Sequence, residues 1–325
     1  MIVAPNWLGD AVMALPAIAD IRRGRPEATV AVAARPSIAP LFSLVRGVDD
    51  VVPLDRSGAL DGFDTAILLP NSFHAALLVA RAGVRERWGY RTDWRGFLLT
   101  RALGRPSGAV HQIDYYQRLT ALLGFSNGAS APRIDVADDV RSFGREALRS
   151  AGWDGRSPLV AVAPGAAFGS AKRWPAEAFA DLIAGLADDG VNGVIVGAAA
   201  DRAATTDLMR LLPNGVAVID LVGRTDIPAL AGVLVQCRAL VANDSGALHL
   251  GAALGVNVTG LFGPTDDRLT APRTANENGR VAVIVNNTWC RPCGLRECPL
   301  DHACLRGVSP GDVLDTARQM LSVSR

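Results

Sequence analysis

Lysine is nearly missing from this chain. Of its 33 basic side chains, all but Lys172 are arginine. A coding bias towards arginine and alanine accounts for most of this, and it makes the one retained lysine conspicuous. Charge of one sign is also lacking. A net charge of +1 on 20% charged residues gives no field that would recruit nucleic acid, and no nucleic-acid partner is expected. Met1-Ile2-Val3-Ala4 runs into a turn without the basic n-region of a secretory signal, so the chain is expected to be cytosolic. In that compartment five cysteines argue against a disulfide framework. The longest uncharged run, Ser245 to Thr265, is interrupted by Gly246, His249, Gly251, Gly255, Asn257, Gly260 and Gly263, which excludes a membrane-spanning helix. The first turn carries no G-x-G-x-x-G, which counts against a dinucleotide site there. No Asp-x-Asp metal motif stands near the candidate sites below, so metal-independent chemistry without a cofactor is expected.

What is present is a large apolar fraction, 49%, in 325 residues, enough for about two domains at roughly 150 residues each. Apolar runs of strand length alternate with helical spacing. The clearest case is Leu240 to Asp266, which reads as strand, turn, helix, turn, strand: Ala239 to Ala242, then Asn243-Asp244-Ser245-Gly246, a helix over Ala247 to Leu254 closed by Gly255, and a strand from Val256 to Phe262. Ile2 to Ala4 predicts a first strand, and Ala11 to Arg22 a helix kinked at Pro16. The polar, Gly/Pro-bearing stretch Asp154 to Pro158 is the hinge candidate. It divides the chain into residues 1–155 and 156–325, each a Rossmann-like, doubly wound α/β domain. Ser309 to Asp312 caps a last helix expected to pack back on the first domain.

The candidate residues sit where a strand gives way to a helix, because such a helix aims its free N–H groups and positive dipole into the ligand crevice. In the first half these are Gly9-Asp10 and Asn71-Ser72. Asp10 is either a helix cap or a general base near an acceptor hydroxyl, and Asn71 and Ser72 either cap a helix or contact an acceptor. Between Arg81 and Arg105 lie Arg85, Arg87, Arg91, Arg95 and Arg101, interleaved with Trp88, Tyr90, Trp94 and Phe97 and opposed by Glu86 and Asp93. That pattern suits a solvated face, nucleic acid, an anionic membrane surface or a phosphorylated glycolipid. His111, Tyr115 and Tyr116 are assigned to packing.

In the second half, Pro164 to Pro175 combines small residues that expose backbone N–H groups, Gly165 to Ser170, with the compact cation of Lys172, a loop suited to a diphosphate. Asp201 is the nearest carboxylate for a ribose. Thr225 or Asp226 caps the helix after Arg224. Asp244 is placed to grip sugar hydroxyls, or it or Ser245 only caps. Cys290, Cys293, Cys298 and Cys304, with His302 among them, have part of a zinc spacing; structural metal, a redox pair and loop packing are all open.

Residues 243–249 with Gly263-Pro264-Thr265 resemble the nucleotide-sugar motif of the family 9 glycosyltransferases, the heptosyltransferases of lipopolysaccharide core synthesis. Pro5 to Met13 is similar to the opening motif of that family, Pro70-Asn71-Ser72 and Gly89 to Thr92 to its acceptor lobe, and Pro164 to Pro175 to its type II branch. The resemblance implies a GT-B fold with the active site between two Rossmann-like domains, the first for the acceptor and the second for the donor. It implies inverting transfer of L-glycero-D-manno-heptose from ADP-heptose to the heptose/Kdo inner core of lipopolysaccharide, at the inner face of the inner membrane. Asp10 would be the base and Lys172 would meet the donor phosphates. Gly9, Asn71 and Ser72 would lie on the acceptor side. Gly165, Ser170, Asp201, Arg224, Thr225, Asp244, Ser245, Gly246 and His249 would line the donor side, with the loop at Leu221 to Asp226 meeting adenine mostly through backbone. Some members hold the ribose with a glutamate near Ala199, where this chain has alanine. The alternatives are a transferase for another nucleotide sugar and a non-catalytic nucleotide-sugar-binding protein.

Overall fold

The computed structural model describes residues 1–54, 60–275 and 279–322 and divides into two units, Met1–Asp135 and Val136–Arg325. In the first unit the chain runs β1 (Ile2–Val3), α1 (Leu8–Met13), α2 (Leu15–Gly24), β2 (Ala31–Ala34), a 3-10 segment (Ala39–Leu44), β3 (Asp50–Pro53), β4 (Thr65–Leu68), α3 (Phe73–Arg81), β5 (Glu86–Tyr90), a 3-10 segment (Arg95–Leu98), β6 (Arg101–Leu103) and α4 (Gln112–Leu122). All strands are parallel, in the order β3-β2-β1-β4-β5-β6. The helix expected from Ala11 to Arg22 is two helices. Ala14 ends α1 and Pro16 falls in the first turn of α2, where its missing N–H has no carbonyl to serve.

The second unit contains α5 (Asp138–Ser150), β7 (Leu159–Ala163), a 3-10 segment (Ser170–Lys172), α6 (Ala176–Asp188), β8 (Asn192–Ile195), a 3-10 segment (Ala199–Asp201), α7 (Arg202–Leu211), β9 (Val218–Asp220), α8 (Ile227–Leu234), β10 (Ala239–Asn243), α9 (Gly246–Ala253), β11 (Asn257–Phe262), α10 (Asp267–Thr270), β12 (Val281–Val285), α11 (Ala303–Arg306) and α12 (Pro310–Leu321). Its sheet is also parallel, β12-β11-β10-β7-β8-β9. Read from the other edge, this is the winding of the first sheet repeated. Strands β7, β10 and β11 are buried on both faces, as their continuous apolar runs require. Packing rather than propensity holds α9 in place. Gly251 weakens the helix by about 1 kcal/mol against alanine, yet a Cβ there would meet Leu240 at 2.7 Å, so its absence lets the helix lie close on β10.

The boundary between units falls at Asp135/Val136, ahead of the 155/156 division read from composition. The reason lies in α5, which packs on α8 through a glycine pair: a Cβ on Gly144 would strike the Gly232 backbone, and one on Gly232 the Val140 carbonyl. The composition of Asp154 to Pro158 marks a turn into β7, where Asp154 accepts bonds from the Arg156 and Ser157 N–H groups. The last helix packs within its own unit. Val313, Ala317 and Met320 of α12 enter the core of the second unit with Phe179, Ile183 and Leu305, and the Asn257 amide bonds the Met320 carbonyl at 2.8 Å.

Candidate active site

In each sheet the strand order reverses once, between β1 and β4 and between β7 and β10. Loops leaving the carboxyl ends of the two strands at such a point diverge to opposite faces and leave a crevice between them. The candidate residues of the first half cluster after β1 and β4. Most of those of the second half cluster after β7 and β10.

After β1, α1 begins at Leu8 with Trp7 at its N-cap, so Gly9 lies inside the helix and Asp10 in its first turn. Asp10 is therefore not the capping residue. It is half-buried, its charge is favoured by the helix dipole, and it faces the buried Tyr116 of α4. Burial, then the Asp10 charge, hold the Tyr116 phenol well above its usual range. After β4, Ser72 caps α3 by accepting from the Ala75 N–H at 3.4 Å. Asn71 does not cap. Its Oδ1 accepts from the Tyr115 hydroxyl at 3.0 Å and from Thr92 Oγ1 at 3.2 Å. The Tyr90 hydroxyl in turn donates to the Tyr115 carbonyl at 3.1 Å, and the Tyr90 and Tyr115 rings lie 4.7 Å apart. All three tyrosines of the chain thus stand behind this crevice.

Arg95, one of the arginines between Arg81 and Arg105, is buried. Its Nε donates to the Tyr90 carbonyl at 3.0 Å, and its Nη1 to the Pro70 and Ser72 carbonyls. Burial lowers its pKa to about 10, still charged at neutral pH. The guanidinium clamps the end of β5 to the Asn71 loop. Nothing in the sequence separates this arginine from its exposed neighbours.

In the second unit the loop from Pro164 to Trp174 is clamped at both ends by one side chain. Asn243 Nδ2 donates to the Pro164 carbonyl at 2.7 Å, and its Oδ1 accepts from the Trp174 N–H at 3.0 Å. Removing that amide would leave both buried backbone groups unpaired, at about 1–3 kcal/mol each. Lys172, in the loop, reaches Asp244 at 2.5 Å, and Thr265 Oγ1 donates to the same carboxylate at 2.7 Å. His249 of α9 stands 3.8 Å from the other carboxylate oxygen, an ion-pair distance rather than a hydrogen bond. Burial opposes the charge on Asp244, but the His249 imidazole and the Lys172 ammonium outweigh it and hold the carboxyl well below the usual carboxylate range. Asp244 is therefore not the cap of α9. Ser245 occupies the N-cap position and makes no side-chain capping bond, and Gly246 opens the helix; both are half-exposed.

The remaining second-unit residues are placed as follows. The Asp201 carboxylate packs over Gly165, where any Cβ would collide with it, and accepts from the Ala198 N–H at 3.0 Å. Ser170 is exposed in the 3-10 segment beside Lys172. Arg224 is exposed after β9, next to Gly223, whose N–H bonds the Gly197 carbonyl at 2.9 Å. Asp226 rather than Thr225 caps α8, accepting from Ala229 at 2.8 Å.

Behind the Lys172 loop lies the cysteine segment. Arg291 Nε donates to the Gly263 carbonyl at 2.6 Å, and its Nη2 to the Thr265 carbonyl at 3.1 Å and to Asp267 at 2.9 Å. The Ala171 N–H bonds the Arg296 carbonyl at 3.0 Å. Phe168 lies under both Lys172 and Arg296, at 4.9 and 5.2 Å. Cys290, Cys293, Cys298 and Cys304 line one cavity of about 230 Å³ together with Ala171 and Pro264. All four are free, and among the described residues no three His, Cys, Asp or Glu side chains are gathered as a metal-binding group.

A family model described as glycosyltransferase family 9 (heptosyltransferase) matches residues 56–304. Lipopolysaccharide heptosyltransferase 2 of Escherichia coli K12 is 28% identical over 298 residues, covering 84% of each chain. The solved structure of E. coli ADP-heptose LPS heptosyltransferase II superposes with a TM-score of 0.83 at 26% identity, over 98% of this chain and 97% of that one. E. coli heptosyltransferase WaaC with ADP-2-deoxy-2-fluoro heptose shares the fold, with a TM-score of 0.69 at 21% identity and 98% of each chain covered.

Proposed function

The chain belongs to glycosyltransferase family 9, the heptosyltransferases, and we propose that it transfers L-glycero-D-manno-heptose from ADP-heptose to a heptose of the lipopolysaccharide inner core. The observation that carries this reading is the Lys172–Asp244–Thr265–His249 cluster at the β7/β10 crevice. It couples one cation to a carboxylate kept ionised, beside a helix N-terminus that opens on glycine. The two E. coli relatives that carry the name heptosyltransferase 2 or II support the donor and the acceptor class.

Transfer requires an acceptor oxygen to attack the anomeric carbon while the bond from that carbon to the ADP phosphate oxygen breaks, with inversion. Asp10 takes the acceptor hydroxyl proton, a task for which its place in the first turn of α1, at the crevice after β1, suits it. Gly9, Asn71 and Ser72 frame the acceptor, with Asn71 oriented by Tyr115. The electron pair leaves with ADP. The ammonium of Lys172, the N–H groups of Gly165 to Ser170 and the start of α9 at Ser245-Gly246 stabilise the diphosphate charge that grows in the transition state. Asp244 releases Lys172 to the phosphates and accepts from donor sugar hydroxyls with His249 beside it. Asp201, Arg224 and Thr225 surround the nucleoside. No metal or cofactor is assigned to these steps. No described helix is long and apolar enough to cross a membrane; the enzyme is read as cytoplasmic, resting on the inner face of the inner membrane where its lipid-linked acceptor stands.

A structural zinc at Cys290, Cys293, Cys298 and Cys304 is a separate proposal. Their spacing and shared cavity support it, and the segment would have to close to bring the thiols onto one ion.

Mass spectrometry of the products formed from ADP-heptose and competing UDP-sugars, with an inner-core acceptor, tests the function. A heptose mass increment from ADP-heptose alone is expected. Transfer from a UDP-sugar in preference would identify a different nucleotide-sugar transferase, and donor binding without any product a binding protein.

A further inference from the structure

Trp94 is 92% and Phe97 77% exposed. Both stand on the turn after β5, and that turn is built to hold them out. Asp93 and Trp94 are both left-handed, with φ of 49° and 57°. That conformation is costly for a bulky side chain unless its surroundings impose it. Here they do. Arg95, between the two aromatics, is the buried clamp on the Tyr90, Pro70 and Ser72 carbonyls, and Asp93 accepts from the Phe73 N–H at 2.7 Å, fixing the turn to the start of α3. Phe97 rests against Phe73 at 6.2 Å, and the stem of Arg91 lies against Gly96. The charge of this stretch is net positive, seven arginines from Arg81 to Arg105 against Glu86 and Asp93. Arg91, whose stem touches the turn, and Arg105, just past the end of β6 that pairs with Tyr90, are exposed at this end of the sheet, and Asp93 and Glu86, exposed as well, accept from the Phe73 N–H and from Trp88 and Thr100.

A rigid turn that presents two large aromatics to water, within a stretch of net positive charge, has the chemistry of a membrane–water interface anchor. Aromatic rings settle at the headgroup level, and guanidinium groups pair with anionic phosphates. We infer that the Trp94–Phe97 turn is the contact by which this unit docks on an anionic bilayer. The inference rests on the reading of this unit as the acceptor side, because it names the surface on which that acceptor is held. The turn shares its clamp with the Asn71 loop, so the docked face and the acceptor crevice are parts of one rigid element.

The test is co-sedimentation of the full chain with vesicles of phosphatidylglycerol and phosphatidylethanolamine, and with phosphatidylcholine vesicles for comparison. Wild-type protein is expected to bind the anionic vesicles, to bind the neutral ones at least tenfold less, and to be released by raised salt. The double variant Trp94→Ala/Phe97→Ala should lose at least tenfold in binding at unchanged melting temperature. Trp289→Ala, which removes a tryptophan 89% exposed in the other unit, should bind as wild type. Transfer to a delipidated oligosaccharide acceptor should stay within about twofold in the double variant, while KM for an acceptor embedded in vesicles should rise. Failure of wild-type protein to bind anionic vesicles, or equal binding by the double variant, overturns the inference. Absence of transfer to the delipidated acceptor by wild-type protein instead overturns the functional reading, so the two failures are distinct.

Discussion

Asp10 and Lys172 carry opposite halves of the proposed chemistry, and their variants should fail differently. Asp10→Asn is expected to keep the fold and ADP binding while losing about 10²–10⁴-fold in transfer rate; near-normal turnover would remove Asp10 from the mechanism. Lys172→Ala should raise the barrier by roughly 2–4 kcal/mol with a smaller effect on donor affinity, because backbone N–H groups still hold the diphosphate. Lys172→Arg should rescue only in part, since a planar fork does not replace a compact charge, and Arg173→Ala should be milder. The ion pair adds a stability effect that the loop's sequence did not disclose. Asp244 has a folded pKa below its unfolded value, so its contribution is present above about pH 4 and is lost as pH falls from there towards the folded value. Lys172→Ala removes a charge that holds this pKa down. Its acid-unfolding midpoint, followed by circular dichroism, should therefore move to higher pH; an unchanged midpoint would mean that the pair contributes nothing. Lys172 and Asp244 were each legible as candidates from their turn positions, but their mutual bond joins residues far apart in the chain and needed the fold.

At the scale of elements, β1, β7, β10 and β11 were legible because buried parallel strands are short, continuous apolar runs, whereas β5 and β6, partly polar and part-exposed, were not. Helix starts were legible only in part. Of the two roles open to Asp10 in the sequence, cap or base, the cap falls away because the apolar Leu8 begins α1 a turn earlier than expected. Arg95 shows the limit most plainly: burial of an arginine depends on carbonyls supplied by β5 and by the loop after β4, which no local pattern records. The cysteine segment poses an open chemical question with a direct answer. Brief chelation is expected to leave transfer intact. Prolonged chelation should lower the melting temperature if zinc is held there, because the segment supports Ala171, Gly263 and Thr265 through Arg296 and Arg291. Elemental analysis of protein purified without a metal-affinity column should find about one zinc per chain. Its absence, with all four thiols titrating as free, would sink the zinc proposal.

For the molecule as a whole, the glycine contact between α5 and α8 assigns α5 to the second unit. A fragment of residues 136–325 should therefore unfold cooperatively in urea. One of 156–325, which exposes the face of α8 that Gly144 covers, should melt at lower temperature or aggregate; equal stability of the two would restore the later boundary. The solitary lysine has a further use. An amine-directed acylating reagent meets a single side-chain target in all 325 residues, and that target is the cation assigned to the donor diphosphate. The mass increment on the peptide that spans Lys172, separate from the one on the Met1 amine, then becomes a footprint of donor occupancy: its rate of appearance should fall as ADP is titrated in, so the enzyme carries its own site-specific reporter without any engineered label.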